Sequence, residues 1–110
     1  MIVNSQVQQA LERMLEKLIT EYGPEKVILF GSHADGSPDR DSDIDLLIIK
    51  ETSERLLDRL VSVRRIMSDS GRKIPLDVLV LTPKEISRRL AIGDQFIADI
   101  VEKGEVLYAE

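Results

Sequence analysis

The stretch from Val27 to Ile49, VILFGSHADGSPDRDSDIDLLII, constrains this chain more than any other. Two short apolar runs rich in β-branched residues, Val27 to Phe30 and Ile44 to Ile49, flank a polar, Gly-containing connection, the pattern of two buried strands joined by a loop. The first run ends on Gly31-Ser32, and the second is entered through Asp43-Ile44-Asp45. Side chains at i and i+2 of a strand share a face, so Asp43 and Asp45 are expected side by side at the strand's beginning. Two carboxylates that close repel unless a cation or a shared proton relieves them. Magnesium suits the position, because it takes one or two protein carboxylates and completes its shell with water and substrate phosphate.

The loop carries the complementary equipment. Gly31 has no Cβ, so a ligand can approach the backbone closely. Ser32 is a good helix N-cap, and a helix beginning there would aim free N–H groups at an anion. An anion on backbone amides beside a paired-Asp cation site is the arrangement that phosphoryl and nucleotidyl transfer need. With ten Asp in 110 residues, one Asp-x-Asp is expected by chance, so the pair alone decides nothing. The combination does: apolar strand, Gly-Ser, ten residues, Asp-x-Asp, second apolar strand.

A third carboxylate stands inside the run from Ile74 to Leu81, IPLDVLVL, which reads as another strand. A buried, unpaired Asp77 would cost several kcal/mol or become protonated. A buried Arg partner, an edge position facing water, or a place as third ligand of the cation site would each relieve it. Asp39, Asp41 and Asp43 imitate the first positions of an EF-hand loop. Ile44 then falls where Gly is needed and Lys50 where a bidentate Glu belongs, so that reading fails. An aspartate-phosphatase reading fails too, because the Asp pair precedes the apolar run and Leu46-Leu47 follows it. Asp39 and Asp41 read as solvated loop charges, and His33, the only histidine, as a surface residue.

The remaining chain supplies helices. Asn4 or Ser5 caps a helix to about Tyr22 with apolar positions at Val7, Leu11, Met14, Leu15, Leu18, Ile19 and Tyr22, stopped by Gly23-Pro24. Ser53 is expected to cap a second helix to about Ser70, with Leu56, Leu57, Leu60, Val63, Arg64 and Met67 inward. Thr82-Pro83-Lys84-Glu85 is a capping box with Pro at the first helical position. Asp94 starts a helix to about Lys103, with Phe96, Ile97, Ile100 and Val101 inward, and Glu105 to Tyr108 forms a last short strand. The expectation is a single α/β (α+β) domain over residues 1–110, a small mixed β-sheet with flanking helices.

Composition sets the outer limits. A net charge of −5 gives no global attraction to polyanionic nucleic acid, so a long template-binding surface is not expected. No apolar run approaches the ~20 residues that span a bilayer, and MIVNSQVQQ has neither the basic segment nor the apolar core of a signal peptide, so the expected location is cytoplasmic, with no membrane association. Cysteine is absent, which excludes thiolate metal sites and disulfides.

The motif from Val27 to Leu81 resembles the signature of the DNA-polymerase-β-like nucleotidyltransferase superfamily, and in particular its minimal nucleotidyltransferases (MNT), to which the chain is also similar in length. Those are prokaryotic proteins commonly paired with a HEPN-domain toxin. The resemblance implies a nucleotidyltransferase fold and transfer of a nucleoside monophosphate, AMP from ATP, to a hydroxyl with release of pyrophosphate. It implies that Asp43 and Asp45 hold two Mg²⁺ ions, and that Asp77 holds the metal on the acceptor side and helps to deprotonate the hydroxyl. Gly31 and Ser32 are implied as binders of the β- and γ-phosphates. In many minimal nucleotidyltransferases the loop carries basic residues at one or both of the positions occupied here by His33 and Asp35. Asp35 departs from that pattern, and its charge would oppose a triphosphate. Larger members bring a second domain to hold the acceptor, for which this chain has no room, so the acceptor is expected to come with a partner, in homo- or hetero-oligomeric form. The implied role is an antitoxin that modifies a tyrosine of a HEPN toxin. The alternative is a non-catalytic binding subunit that neutralises its partner by contact. A small-molecule nucleotidyltransferase of the aminoglycoside type is disfavoured by the missing second domain.

Overall fold

Strand β2 (Ile44–Ile49) is the centre of the molecule: Ile44, Leu46, Leu47 and Ile48 are all fully buried, so apolar side chains leave it in both directions. Full burial of one such side chain stabilises by roughly 1.5–3 kcal/mol. That fixes the register, since a one-residue slip would drive Asp45 into the core. The structure, a computed structural model, describes residues 5–31, 43–68 and 76–110.

Among the described residues the order along the chain is α1 (Ser5–Glu21), β1 (Lys26–Phe30), β2, α2 (Leu56–Met67), β3 (Leu76–Leu81), α3 (Pro83–Ala91), α4 (Gln95–Lys103) and β4 (Glu105–Ala109). The strands form one mixed sheet in the order β3-β2-β1-β4. β1 runs antiparallel to β2 and to β4, and β2 runs parallel to β3. This is the mixed sheet with flanking helices that the sequence predicts. A parallel pair needs a crossover connection, and α2 lies in it.

Alternation along each strand divides the core in two. Val27, Leu29, Ile44, Leu46, Ile48, Val78 and Val80 pack with Leu11, Met14 and Leu18 of α1 and with Val63 and Met67 of α2. Ile28, Leu47 and Leu81 face the other way, against Ile86 of α3 and Ile97 and Ile100 of α4. The α1 stripe is therefore core. Its last turn is closed by Tyr22 and Gly23 N–H groups donating to the Leu18 carbonyl, at 2.8 and 3.3 Å. Lys50 Nζ then donates to the Tyr22 and Gly23 carbonyls, at 2.6 and 3.2 Å, placing a cation at the helix C-terminus.

Helix α2 departs from the sequence expectation. It starts at Leu56 with Arg55 as N-cap and no side-chain cap hydrogen bond, not at Ser53. Thr52 Oγ1 instead accepts from the Glu54 N–H at 3.1 Å, holding residues 52–54 in a turn. The buried row is Arg59, Val63 and Met67, at i, i+4 and i+8, while Leu56 and Leu57 are exposed and so is Arg64. Arg59 turns the helix this way because its guanidinium is tied down from several sides. Nε donates to the Glu54 carbonyl (2.9 Å), Nη1 to the Val80 carbonyl (3.2 Å), and Nη1 and Nη2 to the two carboxylate oxygens of Glu85 (2.6 and 3.3 Å).

Glu85 also closes the capping box of α3: its carboxylate accepts from the Thr82 N–H (2.8 Å) and its own N–H donates to Thr82 Oγ1 (3.1 Å). The Arg59 hydrogen bonds hold the Glu85 carboxyl below its ordinary range, and the Thr82 bonds add to this against the opposing effect of burial. In α4, capped by Asp94 accepting from the Ile97 N–H at 3.1 Å, Ile97 and Ile100 are buried as expected. Phe96 and Val101 are not; both are about half exposed. Two residues one apart on a helix lie about 100° from each other, so seating Ile97 and Ile100 in the core turns their neighbours to its rim.

Candidate active site

The site forms where β1 ends and β2 and β3 begin, on the α4 side of the sheet. In the parallel β2–β3 ladder Asp45 is the register partner of Asp77, so the two side chains share a face on strands ~4.8 Å apart. Phe30 pairs with Asp45 from the other side. Leu47 and Leu79 follow on the same face, burying it away from the carboxylates. Asp45 is half-buried and Asp77 is exposed on the edge strand β3. Water access at an edge thus relieves Asp77, and the burial suggested by its apolar neighbours does not occur.

Gly31, directly after β1, is the element that makes room. Its φ is 78°, a conformation unfavourable for residues with a Cβ, and a Cβ there would run into the Asp45 carboxylate. The Asp45 side chain therefore occupies the space that the glycine leaves. Phe30, Gly31, Asp45, Asp77, Val78, Leu79 and Phe96 line one cleft of about 500 Å³. A second cleft of about 310 Å³ adjoins it, sharing Phe30, Gly31 and Phe96 and continuing along α4 and its end through Asp99, Ile100, Lys103 and Gly104. The rings of Phe30 and Phe96 meet edge to face, 5.8 Å apart and at 82°.

Of the sequence-predicted residues, the structure brings together Gly31, Asp45 and Asp77. Asp43 is exposed, one residue ahead of β2, and is not among the residues lining either cleft. Among the described residues no group of three acidic or histidine side chains stands close enough to hold a metal ion. Asp45 and Asp77 thus share one cleft, and Asp43 stands outside its lining. The reason is local: the i, i+2 argument needs both residues in the ladder, and the ladder begins at Ile44. Ser32, His33 and Asp35 lie outside the described residues. The donor set still fits a divalent cation, because Mg²⁺ asks for only one or two protein carboxylates and like charges on adjacent strands favour one. Sequence reasoning did not find the second cleft. Both phenylalanines of the chain meet there, and the first-turn position of Phe96 beside a buried pair was the available signal.

Residues 11–108 match the nucleotidyltransferase domain family. The chain belongs to that family. It is also similar to a protein of Sulfolobus solfataricus assigned to the nucleotidyltransferases and solved by crystallography at 1.40 Å, with 27% identity, a TM-score of 0.55 and 76% of each chain covered. Among proteins of curated function, none matches the sequence. Nucleotidyltransferase domains transfer a nucleoside monophosphate, and they generally use a nucleoside triphosphate and a divalent metal. Among the described residues, no helix is long and apolar enough to cross a membrane.

Proposed function

We propose that this nucleotidyltransferase domain uses Mg²⁺ to move AMP from ATP onto a tyrosine hydroxyl of a HEPN-domain toxin, and so acts as the antitoxin of the pair. The observation that carries the reading is the side-by-side placement of Asp45 and Asp77 in one cleft beside Gly31. Asp45 and Asp77, with Asp43 just ahead of the strand, are the residues that would hold the metal. When bound, Mg²⁺ supplies positive charge that stabilises the attacking and leaving oxygens. Gly31 and Ser32 are the loop residues that would bind the triphosphate. Asp77, exposed on the edge strand, is open to an acceptor hydroxyl and is the carboxylate suited to accept its proton. The acceptor is supplied by the partner, because the cleft opens at the surface of this domain.

The test combines the protein with a HEPN-domain toxin and with ATP labelled at the α-phosphate. Label is expected on a tyrosine of the partner, dependent on Mg²⁺ and lost in Asp45→Asn and Asp77→Asn. Neutralisation of the partner without label, undiminished by Asp45→Asn, would instead establish inhibition by contact.

A further inference from the structure

Beyond the carboxylate cleft, the recess between β1 and α4 carries no role in the transfer chemistry described above, yet it opens directly onto that chemistry. It shares Phe30, Gly31 and Phe96 with the carboxylate cleft, so a ligand anchored at Gly31 reaches both. Its walls are apolar: the Phe30 and Phe96 rings and Ile100. Phe96 is 55% exposed although large and aromatic, and its edge-to-face contact with Phe30 sets the orientation of its ring. At the rim stand one carboxylate and one ammonium, Asp99 and Lys103, one helical turn apart on α4. Gln95 Nε2 donates to Asp99 Oδ1 at 2.9 Å, which among the described residues leaves the second carboxylate oxygen available as an acceptor.

We infer that this recess is the nucleobase site and that Phe96 is the residue that sets nucleotide selectivity. The inference rests on the triphosphate reading of the adjoining cleft. The only flat, apolar part of a nucleoside triphosphate is its base, and a half-exposed aromatic ring is a stacking platform for it. A purine covers more of such a ring than a pyrimidine does. Asp99 accepts a hydrogen bond from an N–H on the base edge, and Lys103 donates to a ring nitrogen or carbonyl of that edge, so the rim reads one donor and one acceptor. The phosphates stay at Gly31 and the carboxylates, and the two parts of the ligand are held by different residues.

That separation gives the test. Binding of ATP, CTP and inorganic tripolyphosphate, each with Mg²⁺, is measured by isothermal titration on the wild type, Phe96→Leu, Phe96→Tyr and Asp45→Asn. The wild type is expected to bind ATP about tenfold or more tighter than tripolyphosphate, and tighter than CTP. Phe96→Leu, which keeps apolar bulk in the helix, is expected to remove most of that advantage while leaving tripolyphosphate affinity unchanged. Phe96→Tyr is expected to retain it. Equal loss of ATP and tripolyphosphate affinity in Phe96→Leu would overturn the base site, as would an ATP preference untouched by the substitution. Failure of the underlying triphosphate reading looks different: neither ligand would bind the wild type, or Asp45→Asn would bind both as well as the wild type does.

Discussion

Gly31→Ala tests the geometry on which the site depends, and its two costs can be separated. The first is backbone. At φ 78° an added Cβ costs roughly 1–2 kcal/mol whatever surrounds it. Gly93 measures that term alone, since its φ is 82° and a Cβ there meets nothing within 4 Å. The second is the collision with Asp45. A new Cβ at Gly31 meets the Asp45 carboxylate oxygen and has Asp45 Cγ at 3.2 Å but Cβ at an ordinary 3.5 Å. Relieving the contact must displace the carboxylate, an overpacking cost of about 1–3 kcal/mol. Gly31→Ala is therefore expected to destabilise by about 2–5 kcal/mol and Gly93→Ala by about 1–2 kcal/mol. In an Asp45→Ala background the offending atoms are gone, and Gly31→Ala is expected to fall to the Gly93→Ala value. Urea unfolding of the two single variants, the double variant and Gly93→Ala, followed by far-UV circular dichroism, gives all four numbers. Additivity of Gly31→Ala and Asp45→Ala within about 0.5 kcal/mol would refute the argument, because contact residues couple and independent ones do not.

Three further outcomes follow from the same structure. Mg²⁺ with ATP well above Kd is expected to stabilise the wild type by roughly 1–3 kcal/mol in thermal unfolding, and Asp45→Asn to abolish the shift. Glu85 titrates below its ordinary 4.5 in the folded protein, so its stabilisation is complete above that pH and is lost as pH falls through the lower folded value. Glu85→Gln is accordingly expected to lower stability by about 1–3 kcal/mol at pH 7 and to flatten its decline below pH ~4.5, read from urea unfolding between pH 3 and 7. The Tyr22 hydroxyl is buried with no hydrogen-bond partner among the described residues, so Tyr22→Phe is expected to raise stability by about 1 kcal/mol, and a loss of that size would reveal a partner. Its ring lies 4.8 Å from Lys50 Nζ, a contact that phenylalanine keeps.

What was legible in the sequence is what one period or one local motif encodes. The β2 run could be read because Ile44, Leu46, Leu47 and Ile48 are apolar toward both faces, as a central strand must be. The Thr82 capping box and the Asp94 cap could be read because each closes within four residues. The pairing of Asp45 with Asp77 was within reach because both precede long apolar runs, although the parallel register that aligns them is a tertiary fact. The place of Asp43 outside the lining of the carboxylate cleft was not legible for the complementary reason: no spacing rule says at which residue a ladder begins. The Phe96 recess was invisible because it depends on how far α4 rotates over β1, and the pattern Phe96-Ile97 permits two rotations.

Arg59 shows why the inward face of α2 was misread. Hydrophobic periodicity ranks Leu56 and Leu57 above Arg59 for the core, and on transfer energies alone that ranking is right. A buried guanidinium becomes favourable only when its donors are met, and here the acceptors come from places the helix pattern does not contain. They are the Glu54 carbonyl before the helix, the Val80 carbonyl on β3 and the Glu85 carboxylate on α3. Two of these three lie more than 20 residues away in sequence, and Glu85 is itself positioned by Thr82. The rotation of α2 is thus set by contacts whose acceptors β3 and α3 supply, the Arg59–Glu85 ion pair among them. By the same token the pair ties α2 to the strand that carries Asp77. Arg59→Met, expected to cost about 2–3 kcal/mol because Glu85 is 29% exposed and can rehydrate, should therefore loosen β3. Amide exchange at Val78 and Val80 is expected to quicken more than at Val27 and Leu29 in that variant. Uniform quickening across the sheet would mean that the pair stabilises the fold without anchoring the edge strand.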